Sequence, residues 1–237
     1  MTFECVSRTD VGLRRKVNED SILVRTERGL WAVADGMGGH EAGDVASAMV
    51  TEALHLLPIV YGLEPLVEAA IVELRRINSQ LIVLGRSDGH GRTIGTTVVA
   101  LAIADGHFHC FWAGDSRAYR VRDGQIRRIS RDHSMVQDLV DAGMLAADEA
   151  ERHVDANIIT RAVGVAEELE VDSSTGDAQA GDLFLLASDG LTRVVDDQEI
   201  LAQLAANTPN DAADVLIEMV MARGAPDNVS IVIVKVV

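Results

Sequence analysis

Proline is scarce in this chain of 237 residues: there are four, spread out, and none sits in a stretch that reads as a linker. No internal repeat and no low-complexity tract appears either, so nothing marks a domain boundary and one domain over 1–237 is expected. Cysteine is as rare, with Cys5 and Cys110 alone. Two cysteines exclude a disulfide framework, suit a reducing compartment, and read as small core residues. No apolar run approaches the length of a membrane span, which excludes membrane insertion. The N-terminal "MTFECVSRTDVG" has neither a basic start nor an apolar stretch, so it does not read as a signal peptide and a cytoplasmic location is expected. Basic charge is also short. Against 37 Asp and Glu stand 21 Lys and Arg, a net charge of −16. A nucleic-acid backbone or an anionic membrane as main partner is thereby excluded, because both need a basic surface.

What is present is apolar and acidic. Hydrophobic residues make up 48% of the chain, enough for a sizeable core. The excess acids either solubilise the surface or cluster to bind cations. Their positions bear on that choice.

Short strands are expected over 21–26 and 30–34, joined at Arg28-Gly29. Apolar residues at helical spacing predict helices over 40–57 and 64–84, and a glycine-rich "GRSDGHGR" follows the second. Then come strands in series, "TIGTTVVALAIA", "HFHCFWAG", "RAYRVRDG" and "QIRRIS", with hairpin turns at Asp105-Gly106 and Asp123-Gly124. Residues 132–166 read as a polar surface excursion with a short helix from Met135 to Ala142. "GVAEELEVDSSTGD" reads as a solvated segment. "GDLFLLASDG" predicts a buried strand, helices follow near 196–206 and 210–223, and "NVSIVIVKVV" closes the chain as a strand. Strands in series with helices in pairs predict an α+β domain of antiparallel sheets with helices packed outside.

Four of these strands touch an acid at one end. Asp35 closes "LWAVAD", Asp115 closes "HCFWAGD", Asp189 closes "FLLASD", and Asp227 opens the last strand. Gly36, Gly114 and Gly190 adjoin three of them. One such end is a turn former. Four of them, if the strands lie side by side, make a ring of carboxylates that repel one another unless cations sit between them. Mg²⁺ and Mn²⁺ want oxygen ligands of this kind, and Gly36 would let its carbonyl turn toward an ion that Asp35 also binds. Spacing alone leaves both readings open, four unrelated turns or one cation site. A second acidic spot, "RRKVNEDS", sets Glu19 and Asp20 just before a strand and Arg14 and Arg15 upstream of them. It reads as a solvated charge cluster or as a phosphate-binding arginine beside acids.

Together and in order, "RRKVNED", "VADGMGGHEAGDVAS", "GTT" at Gly95–Thr97, "AGDSRAYRVRDG", "DHS" at Asp132–Ser134, "ASDGL" and "PDNVSIVIV" resemble the metal-dependent protein phosphatases of type 2C, the PPM family, in its bacterial form. The resemblance runs from about Ser7 to the C-terminus. It implies a four-layer α/β/β/α sandwich, two central antiparallel sheets flanked by helix pairs, with a flap at about 137–161. It implies hydrolysis of phosphoserine and phosphothreonine in proteins by a water bridging two divalent cations, Mn²⁺ or Mg²⁺, with room for a third. On that pattern Asp35 bridges both ions, the Gly36 carbonyl binds one, and Asp189 and Asp227 bind the other. Asp115 with Asp189 matches the third site. Glu19 and Asp20 act through bound waters, Arg15 binds phosphate, and Asn228 supports Asp227. One departure concerns the general acid. Met37 stands where eukaryotic members have histidine; the form resembles bacterial members, which implies His40 as a candidate for proton transfer or substrate contact, or an ordinary helix N-terminal residue. The implied partners are phosphoproteins, among them a Ser/Thr kinase and its targets, and a monomer is expected.

Two other readings belong to different classes. A catalytically silent signalling module would keep the fold and lose the acids, and a small-molecule phosphoesterase would not prefer a phosphopeptide. Three sites are set aside. His107 and His109 share a strand face without a matching zinc ligand pair. Cys110 and Arg117 have the wrong spacing for a thiolate phosphate loop. Ser116 and Ser188 lack a histidine at motif spacing.

Overall fold

The computed structural model describes residues 1–38, 42–87 and 93–237, and the side chains of 151 and 152 are left aside. The last strand, β11 (Val229–Val236), shows why its residues are apolar without alternation. Ile231 and Ile233 pack on helices, while Val232 and Val234 pack on a second sheet. A strand buried on both faces has no polar side to present. The same division runs through β3 (Leu30–Met37), where Leu30, Ala32 and Ala34 face helices and Trp31 and Val33 face the other sheet.

Two antiparallel sheets result. In the first, β11 lies between β1 (Phe3–Asp10) and β10 (Leu183–Ala187), followed by β7 (Arg117–Arg122) and β8 (Gln125–Arg128). In the second the order is β2 (Asp20–Arg25), β3, β5 (Val98–Ala104), β6 (His107–Ala113) and β9 (Asp172–Asp177), with β4 (Gly95–Thr96) pairing the end of β3. Helices α1 (Ala42–His55) and α2 (Leu63–Ser87) cover the second sheet through Val50, Leu54, Leu74 and Leu81. Helices α5 (Asp197–Ala206) and α6 (Pro209–Ala222) cover the first through Ile200, Leu204, Leu216 and Val220. Between the sheets lie Trp31, Leu101, Phe184, Leu186 and Val232. This is the four-layer arrangement that the sequence implied.

Both hairpin turns form as read. Asp105 and Gly106, like Asp123 and Gly124, all take positive φ, the backbone of the tight two-residue turn. Three elements depart from expectation. The N-terminal segment, to which the sequence reading assigned no element, forms β1, paired with β11 from Phe3 opposite Val236 to Asp10 opposite Val229. Its polar residues fit because it is an edge strand. The segment read as solvated contains β9, which pairs Asp172–Asp177 with β6, and it too is an edge. Finally, β3 runs past Asp35 to Met37 because β4 extends the ladder there, Gly36 opposite Thr96.

Candidate metal centre

The acids come together where the two sheets meet. Pairing of β2 with β3 sets Asp20 directly opposite Asp35. Asp35 is held by its backbone. Its carbonyl accepts from the Thr97 amide at 2.8 Å and from the Thr96 hydroxyl at 2.9 Å, and its amide donates to the Thr97 hydroxyl at 3.0 Å. "GTT" is therefore the clamp on Asp35. From the other sheet, Ser188 Oγ donates to Asp20 Oδ2 at 2.8 Å and accepts from the Ser230 amide at 2.9 Å. Asp189 opens the short helix α4 (Asp189–Thr192) immediately after β10. Asp227 precedes β11, and its Oδ2 accepts from Arg15 at 2.6 Å.

Two glycines beside these acids are required by close approach. A Cβ on Gly36 would lie 2.0 Å from the Gly43 carbonyl oxygen and 2.6 Å from that of Glu19. A Cβ on Gly190 would lie 1.9 Å from the Asn228 carbonyl oxygen. The bare backbone lets the strands that carry the acids close on one another.

The consequence is electrostatic. Burial, then the charges of Asp20, Asp189, Asp115 and Asp227, hold the Asp35 carboxyl well above the ordinary range. Burial pushes Asp20 up to about 6 and Asp189 up to about 6. Asp115, buried beside Asp189, rises to about 7 although Arg193 opposes the shift. Three of these carboxylates keep a buried oxygen with no hydrogen-bond partner, namely Oδ1 of Asp20, Asp115 and Asp189. Buried anionic oxygens left unpaired in a crowd of like charge are costly unless a cation takes them. The donor set is all hard oxygen, which fits Mg²⁺ or Mn²⁺. Among the described residues, no three His, Cys, Asp or Glu side chains yet form a closed metal site. The acids are neighbours, and an ion would have to draw them inward.

Of the residues singled out from sequence, Asp20, Asp35, Asp115, Asp189 and Asp227 share this neighbourhood. Arg15 adjoins them, with Asp227, Glu19 and Asp35 as its charged neighbours. Asp20, which the resemblance has acting through bound waters, stands directly opposite Asp35 and is the first charge it feels. Asn228 meets Asp227 only through its backbone amide, at 2.8 Å. Its side chain instead accepts from the Glu19 amide at 2.8 Å and donates to the Val11 and Val17 carbonyls at 2.9 and 3.0 Å, which fixes the loop carrying Arg15 and Glu19. His40 lies outside the described residues. Sequence reasoning missed Arg193, whose Nε lies 3.0 Å from Asp189 and whose NH2 lies 3.0 Å from Asp115. The signal was its i,i+4 spacing from Asp189. It also missed His133 of "DHS". The ring accepts from the Gly114 amide at 3.1 Å and reaches Asp172 at 3.1 Å, bracing the loop before Asp115 against β9.

The family model described as protein phosphatase 2C matches residues 14–227. The serine/threonine protein phosphatase PstP of Mycobacterium tuberculosis is 38% identical over 237 residues, all of this chain. The chain spans only 46% of that relative's length. Protein phosphatase PhpP of Streptococcus pneumoniae is 34% identical, over 96% of this chain and 95% of its own. Among solved structures, PppA, a regulatory component of the T6SS in Pseudomonas aeruginosa, superposes with a TM-score of 0.92 at 40% identity, covering 99% of this chain and 98% of its own. The PstP catalytic domain in complex with two manganese ions gives 0.87 at 37%, covering 99% and 98%.

Proposed function

This chain belongs to the protein phosphatase 2C family, and we propose that it hydrolyses phosphoserine and phosphothreonine in proteins with Mn²⁺ or Mg²⁺. The observation that carries the reading is the gathering of five aspartates at one inter-sheet edge, three with an unpaired buried oxygen. Asp35, Asp189 and Asp227, with the Gly36 carbonyl, would hold two ions, and Asp20 and Glu19 would border them. When bound, the ions would supply an activated water and offset charge on the phosphoryl group.

The chain's own residues do the rest. Arg15 is 48% exposed at its side chain while its guanidinium rests on Asp227. That planar fork, beside the acids, would pair two phosphoryl oxygens. Glu19, backed by Asn228, keeps Arg15's loop in register with the acids. His40 is the candidate to protonate the leaving serine or threonine oxygen.

The flap, about 137–161, is tied at its neck by the Met135 amide to the Ile158 carbonyl at 2.9 Å and borders the acids. Its place supports a role in substrate access. No helix among the described residues is long and apolar enough to cross a membrane, and both cysteines are free. The proposal extends to a cytoplasmic monomer that opposes a Ser/Thr kinase in bacterial signalling. The test is turnover of a phosphothreonine peptide with Mn²⁺ by the wild type and by Asp35→Ala, with small phosphomonoesters as controls. Loss of turnover in the variant and preference for the peptide support the reading. An inactive wild type, or a variant as active as the wild type, overturns it.

A further inference from the structure

Arg193 follows α4 and reaches three places at once. Its Nε lies 3.0 Å from Asp189 Oδ2 and its NH2 lies 3.0 Å from Asp115 Oδ2. On the far side NH2 donates to the Ala156 carbonyl at 3.3 Å and NH1 donates to the Asn157 side chain. Ala156 and Asn157 belong to the flap. Asp115, Asp189, Arg193 and Ala156 line one cavity of about 220 Å³. The other charged groups lining it are Asp132 and the two arginines that hold it, Arg117 at 2.7 Å and Arg128 at 3.0 Å. Arg193 bonds both Asp115 and Asp189, so one guanidinium spans the two carboxylates. Both of those carboxylates keep a buried oxygen without a partner, and Asp115 is 5% exposed.

We infer that Arg193 is a built-in cation: it takes the place of a divalent ion at Asp115 and Asp189, and with the same side chain it fastens the flap to that pair. An ion taking the unpartnered Oδ1 atoms would bring two positive charges against the guanidinium on the same two carboxylates. Like charges at hydrogen-bond separation repel strongly in a half-buried cavity. Ion and Arg193 therefore exclude one another. When the ion enters, Arg193 leaves, and the contacts to Ala156 and Asn157 go with it. The occupancy of this site and the closure of the flap become one equilibrium, and the coupling is reciprocal.

This inference rests on the reading of the acids as a metal centre, and its test separates the two. Full-length, metal-free wild type and Arg193→Gln are titrated with Mn²⁺ by calorimetry, and amide exchange across 154–158 is followed with and without Mn²⁺. Thermal unfolding confirms that the variant folds. Arg193→Gln should bind one more ion than the wild type, or bind the weakest one at least about fivefold tighter. Its flap should exchange faster without metal, at the rate the wild type reaches only in saturating Mn²⁺. Asn157→Ala, which touches neither carboxylate, should loosen the flap and tighten the weakest ion in the same sense. It serves if Arg193→Gln does not fold. Identical titrations with unchanged flap exchange overturn the inference while leaving a two-ion centre intact. A wild type that binds no Mn²⁺ removes the metal centre and the inference with it.

Discussion

Removing metal should make this protein more stable at pH 5 than at pH 8, the reverse of the trend set by ordinary salt-bridged carboxylates. In the unfolded chain each aspartate releases its proton near its ordinary value of 3.8. In the fold Asp20 and Asp189 keep theirs to about 6 and Asp115 to about 7. Between those values the folded state binds more protons than the unfolded one, so stability is highest at the acid end and falls as pH rises to about 7. From pH 5 to about 7 Asp115, the most strongly raised of these three, contributes roughly 3 kcal/mol at about 1.4 kcal/mol per pH unit. Mutual repulsion makes the acids non-additive, so this is taken as the size of the whole effect, on the order of 10 °C in Tm for a chain of this length. The assay is thermal unfolding in chelator from pH 5 to 8, repeated in Mn²⁺, which should remove the decline. Asp189→Asn in chelator should flatten it as well, since one repelling charge is gone. A metal-free Tm that is level or rising from pH 5 to 8 would refute the claim that these carboxylates crowd one another.

Two further substitutions probe how the acids are brought together. Gly190→Ala sets a methyl 1.9 Å from the Asn228 carbonyl oxygen. It should cost about 3 kcal/mol or more, lowering Tm by about 6–12 °C, and it should weaken Mn²⁺ binding by parting Asp189 from Asp227; wild-type stability would show that β11 yields freely. Asn228→Ala strands the Glu19 amide and the Val11 and Val17 carbonyls around a side chain in a residue only 4% exposed. A loss of roughly 2–4 kcal/mol is expected in urea unfolding, together with a rise in the KM for phosphopeptide as Arg15 loses its frame, and an unchanged KM would sever that link.

Much of the fold was legible because burial on both faces writes itself into composition. β5 reads "VVALAIA" and β11 "VSIVIVKV", runs with no polar side, and the two hairpins announce themselves as Asp-Gly. What escaped were the edges. β1 reads "FECVSRTD" and β9 "DSSTGD", and an edge strand half open to water carries no such signal, because its pairing partner and not its own side chains makes it a strand. The candidate site divides in the same way. Acids at strand ends were visible one by one, but Thr97 under Asp35, Ser188 under Asp20 and Arg193 on Asp115 depend on which strands become neighbours. That is a property of topology, and adjacent letters do not hold it.

The same topology gives the acids a second consequence. Asp20 and Asp35 stand on one sheet, Asp189 and Asp227 at the ends of strands of the other, and Asp115 on the crossover from β6 to β7. Direct polar links between the two groups are few among the described residues, chief among them Ser188 to Asp20 and Arg15 to Asp227. Repulsion among the acids therefore pushes the sheets apart at this edge, while the apolar layer around Trp31, Phe184 and Val232 holds them together behind it. A cation shared between the groups reverses the sign of the force at the edge without altering the core. Metal affinity and sheet packing then draw on one free energy: whatever loosens the inter-sheet layer weakens ion binding, and ion binding raises global stability by RT ln(1 + [L]/Kd). On the proposed reading, a protein of net charge −16 keeps so much negative charge at a buried edge because ions complete that edge.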